Sequence, residues 1–85
     1  NYPNPFNPST EIRFDIPTAR DVKLRIYNQL GQTVRTLVDS RMKAGTYSFE
    51  WDGANQTGHG VASGVYFYNL EAGDFRDLRK MTLVK

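Results

Sequence analysis

The chain has 85 residues, 11 Lys and Arg against 9 Asp and Glu, a formal charge of +2 and no cysteine. That composition excludes a disulfide framework, a thiolate metal site and a cysteine nucleophile. It also lacks the clustered basic stripe of a small nucleic-acid binder, and no apolar run approaches the roughly 18 residues of a membrane span. A hydrophobic fraction of 39% with 13% aromatics suffices for one compact core. The chain opens Asn1-Tyr2-Pro3 without Met or a signal peptide, and so reads as a segment of a longer polypeptide.

Residues 1–8 carry three of the four prolines. Proline fixes φ and biases the preceding residue toward extended geometry, so this is a stiff lead-in or linker, with Tyr2 and Phe6 available to pin it. Residues 9–85 read as one β domain. In residues 10–16, Ile12, Phe14 and Ile16 alternate with Glu11, Arg13 and Asp15, the period of a half-buried strand. Pro17 ends it. Residues 21–28 repeat the pattern with Val22, Leu24 and Ile26 facing inward, and Gly31 closes the following turn. A third strand spans residues 32–38, where Val34 and Leu37 fall out of step and indicate a β-bulge.

Residues 39–45 fit a short helical turn that Gly45 closes. Residues 46–51 alternate again, with Tyr47, Phe49 and Trp51 on one side. Residues 52–60 hold Gly53, Gly58 and Gly60 and form a loop. Residues 61–70 are apolar on both faces, as expected of a central or covered strand. A turn at Gly73 leads to a last strand over residues 75–84, with Met81 and Leu83 toward the core. Six strands, or seven, at short spacing and without a long helix predict an antiparallel sandwich or barrel.

Catalytic templates are not filled. His59 is the sole histidine and sits among glycines, so no nucleophile, base and orienting acid can be assembled around it. No cofactor is called for. Asp52 and Asn55 beside glycines suit a calcium loop, because hard cations take carboxylate and carbonyl oxygens. The spacing of a full calcium-binding loop is missing, and Asx side chains also bond their own backbone in turns. The turn reading is therefore preferred and no metal site is assigned. The aromatics Tyr47, Phe49, Trp51, Tyr66, Phe67 and Tyr68 suit either a sugar-stacking platform or a sandwich core. Arg76, Arg79, Lys80 and Lys85 suit either anion contact or a solvated edge that discourages strand addition.

Several stretches together resemble the type A C-terminal sorting domain of the type IX secretion system. They are Tyr2-Pro3-Asn4-Pro5-Phe6-Asn7-Pro8, Thr10-Glu11-Ile12-Arg13-Phe14, Ile26-Tyr27-Asn28, Gly45-Thr46-Tyr47, Trp51-Asp52-Gly53, Ala62-Ser63-Gly64-Val65-Tyr66-Phe67-Tyr68 and the closing Lys80-Met81-Thr82-Leu83-Val84-Lys85. This resemblance implies an immunoglobulin-like β-sandwich of six to seven strands, fused behind a secreted cargo domain. It implies export through the periplasm and outer membrane of a Gram-negative bacterium, to surface attachment or release. The implied partners are the outer-membrane translocon, its shuttle protein and a sortase-type peptidase. The implied recognition residues are Gly64, Tyr66, Lys80, Met81, Leu83, Val84 and Lys85. The alternative is a carbohydrate-binding or structural immunoglobulin-like accessory module of a secreted enzyme. The stretch from Trp51 to Gly58 and the strand from Gly64 to Tyr68 are also similar to the immunoglobulin-like domain of flagellar hook-capping proteins. The Pro-rich lead-in and the lysine-flanked terminus favour sorting.

Overall fold

A computed structural model describes residues 9–84. The lead-in of residues 1–8 and Lys85 lie outside the described residues. Six strands follow in order: β1 (Thr10–Ile16), β2 (Arg20–Tyr27), β3 (Thr33–Met42), β4 (Gly45–Trp51), β5 (Gly64–Ala72) and β6 (Phe75–Leu83). β1 and β4 pair antiparallel as one sheet, and the other four form a second sheet in the order β3-β2-β5-β6. Every pairing is antiparallel. The sequence-based fold class is thus the observed one.

The core lies between the two sheets because each strand turns one side of its alternation inward. Ile12, Phe14 and Ile16 of β1 face Val22, Leu24 and Ile26 of β2, and all six are buried. β5 contributes Tyr66, Leu70 and Ala72, and β6 contributes Leu83. Trp51, at the end of β4, is fully buried. β5 pairs on both sides, with β2 and with β6. That central position explains its apolar residues on both faces: Val65 and Phe67 sit half-buried on the outer side of the sheet.

β3 departs from expectation in length. It runs to Met42, so residues 39–42 continue the strand and make no helical turn. Asp39, Ser40 and Arg41 are exposed and polar, yet they pair in register with Lys23, Val22 and Asp21. The bulge lies where the phase break placed it. Leu24 pairs with Val38 but Arg25 with Thr36, and Ile26 pairs with Arg35 but Tyr27 with Thr33. Leu37 and Val34 are the extra residues, and both pack against the core. β5 begins at Gly64, later than residue 61, because residues 61–63 are held as loop. The Val61 amide donates to the Gly53 carbonyl at 2.9 Å. The Tyr66 hydroxyl donates to the Ala62 carbonyl at 2.7 Å.

Candidate functional site

The β4–β5 connection is held by its own side chains. Trp51 ends β4 with its ring in the core and its Nε1–H donating to the Ala54 carbonyl at 2.8 Å. Its ring meets that of Tyr66 edge-on, with centroids 5.2 Å apart. Gly53 is buried and takes φ +78°, a conformation that disfavours any side chain. Asp52 accepts the Ala54 amide at 3.1 Å and lies 3.6 Å from the Arg35 guanidinium. The Asn55 Oδ1 accepts from the Thr57 amide, the Thr57 hydroxyl and the His59 amide. Asp52 and Asn55 therefore act as turn builders, and among the described residues no three or more His, Cys, Asp or Glu side chains gather as a metal site would require.

Two residues that sequence reasoning passed over tie this loop to the bulged strand. Gln56 accepts the Thr36 amide through Oε1 at 2.7 Å, while its own amide donates to the Val34 carbonyl at 3.0 Å. Arg35 reaches the Asn55 carbonyl at 3.4 Å. The signal available in the sequence was the bulge itself, since a displaced backbone segment needs substitute partners.

His59 is exposed, with Nδ1 2.9 Å from the Thr57 hydroxyl. Ser40 borders a shallow depression of about 300 Å³ with Asp21, Lys23, Asp39, Arg41 and Glu71. It lies on the half of β3 that pairs with the start of β2, away from His59. The two do not form a catalytic pair.

The residues read as a terminal recognition motif divide in two. Gly64 pairs with Leu83 and Tyr66 with Met81 across β5 and β6, so the structure brings these four together. Leu83 and Tyr66 are buried and Met81 packs against the core. Lys80 and Val84 are exposed. Gly64 has φ +154°, with open space where a Cβ would stand. Tyr66, Met81 and Leu83 thus pack against the core, while Lys80 and Val84 face outward. The aromatics follow the same logic. Phe14 stacks between Tyr47 and Phe49 at 5.9 and 5.8 Å, so these rings fill the space between the sheets and form no surface platform.

Comparison with known proteins settles the family. Residues 5–74 match the model of the FlgD Ig-like domain. The chain belongs to the FlgD Ig-like domain family. FlgD of Pseudomonas aeruginosa is similar in structure, with a TM-score of 0.66 and 19% sequence identity over 89% of this chain and 60% of that one. FlgD of Xanthomonas campestris, described in terms of hook capping essential for flagellar assembly, gives a TM-score of 0.65 and 26% identity over 88% of this chain and 55% of that one. The chain therefore spans little more than half of each of these relatives. No curated protein sequence matches it.

These findings correct the functional expectation. The chain is assigned to the FlgD Ig-like family, and neither a type IX sorting signal nor a carbohydrate-binding accessory module is supported. The translocon, shuttle protein, sortase-type peptidase and fused cargo fall with that reading, as does secretion to the cell surface. The physical reason is visible in the residues. Trp51-Asp52-Gly53 and Gly64-Val65-Tyr66 build and fasten one loop of the sandwich. They report the fold, and different uses of one fold retain such residues.

Proposed function

We propose that the domain is a non-catalytic, structural Ig-like module of a FlgD-type scaffold, acting in assembly of the flagellar hook. The observation that carries this reading is the family match over residues 5–74. The agreement of the whole sandwich with two FlgD structures supports it. The site chemistry is consistent with it. Asp52 and Asn55 of the β4–β5 loop bond the loop's own backbone. Among the described residues no helix is long and apolar enough to cross a membrane.

Immunogold labelling of the protein that carries this chain, on cells growing new hooks, tests the proposal. Label concentrated on hook–basal-body structures is expected. Label spread over the outer membrane, or recovered only from the medium, would contradict it.

A further inference from the structure

The two edges of the four-stranded sheet are built differently. β3 closes one side and carries bulges at Leu37 and Val34, which bend an edge strand and hinder pairing with another chain. β6 closes the other side and pairs with β5 from Phe75 to Leu83 without a single register shift. Among the described residues β6 has no other strand partner. Its outward N–H and C=O groups therefore form a straight row along a nine-residue strand.

Side chains along this edge carry a pattern. Met81 and Leu83 turn toward the core, so alternation places Arg76, Leu78 and Lys80 on the opposite, solvent side of the sheet. Leu78 is 66% exposed. Arg79 faces the other way and is matched by Asp77 at 3.1 Å. Arg76 and Lys80 form no ion pair among the described residues. The outer row is thus cation, exposed apolar side chain, cation, beside a regular and unpaired backbone edge.

We propose that β6 is the docking edge for an extended acidic segment of a partner protein. The segment adds as a further antiparallel strand and sets carboxylate, apolar and carboxylate side chains opposite Arg76, Leu78 and Lys80. Main-chain hydrogen bonds give affinity in such strand addition, and alternate side chains give specificity. Opposite charges facing across strands stabilise the pair and like charges oppose it. For that reason a second copy of this chain is disfavoured in the register centred on Leu78. Two β6 strands paired antiparallel about Leu78 would set Arg76 of each against Lys80 of the other. The inference rests on the assembly reading for the partner being a protein subunit, and it adds where and by what chemistry that subunit is held.

The test titrates the isotope-labelled chain with an extended peptide containing Glu-Thr-Val-Thr-Glu, whose same-face positions read carboxylate, apolar and carboxylate, and with the same peptide carrying lysine for glutamate. Saturable binding of the acidic peptide, about tenfold tighter than the lysine peptide, is expected from two facing charge pairs. Hydrogen exchange should slow at the β6 amides that point away from β5. The double variant Arg76→Glu/Lys80→Glu should invert the preference between peptides, and the single variant Leu78→Glu should weaken the acidic peptide. All three positions are exposed, but Arg76 stands opposite Glu71 of β5, so the charge-reversed variant should melt a few degrees lower, and a single cooperative transition in each variant reports intact folding. Equal binding of the two peptides would overturn the proposal. So would protection confined to β3 or the loops, an unchanged preference in the charge-reversed variant, or outward β6 amides already protected without peptide. Any of these would leave hook-localised labelling unaffected, which separates failure of this edge from failure of the assembly reading.

Discussion

Replacing Trp51 is the most informative perturbation of the fold, because one side chain serves the core, the loop and the β4–β5 junction. Its ring is fully buried. A tryptophan removes roughly 200 Å² from water, which at about 25 cal/mol per Å² contributes about 5 kcal/mol. Trp51→Ala forfeits most of this, along with the edge-on contact to Tyr66. It also leaves the Ala54 carbonyl without the indole donor. We expect a loss of about 4–5 kcal/mol, the range of large aromatic truncations in cores. A domain of this length has only about 4–13 kcal/mol of stability at typical values per residue, so the variant forfeits about a third of it at the upper end and all of it at the lower. Trp51→Phe keeps much of the packing but loses the hydrogen bond and the fused ring, and should cost about 2–3 kcal/mol. Urea unfolding followed by circular dichroism is the appropriate assay, since Trp51 is the sole tryptophan and its fluorescence disappears with it. An Ala variant that loses less than about 2 kcal/mol, or a Phe variant as stable as the parent, would refute the assignment of Trp51 as the plug of the sandwich.

Two further substitutions separate packing from surface roles. Leu83→Ala should cost about 2–4 kcal/mol because Leu83 is 2% exposed, whereas Val84→Ala, at 69% exposure, should stay within about 0.5 kcal/mol. Equal effects in urea titration would contradict the division of the terminal motif into core and surface. Asn55→Ala removes the acceptor of three hydrogen bonds and should cost about 1 kcal/mol, read as a fall of roughly 4–8 °C in melting temperature. An unchanged melting temperature, or one restored by added calcium, would show that Asn55 is not the builder of that turn.

The elements legible in the sequence are those whose alternation is unbroken. Ile12, Phe14 and Ile16, then Val22, Leu24 and Ile26, mark β1 and β2 because one face of each is buried against the other sheet. Val34 and Leu37 betrayed the bulges because both remain against the core despite being out of phase. The last residues of β3 were hidden. Asp39, Ser40 and Arg41 have no buried side chain to reveal their pairing, which is carried by backbone alone. Alternation places the start of β5 too early for the opposite reason. Val61 is apolar, but its amide serves the Gly53 carbonyl in the loop. The terminal motif mixes two kinds of residue. Met81, Leu83 and Tyr66 look like a message when only order along the chain is visible. In three dimensions they are neighbours within the core.

The central claim, that this Ig-like module serves hook assembly, is tested most directly by deleting residues 9–84 from the protein that carries them and counting hooks on basal bodies by electron microscopy. The account predicts basal bodies without completed hooks while the shortened protein is still made at normal levels. Hooks of normal number and length in those cells would contradict it.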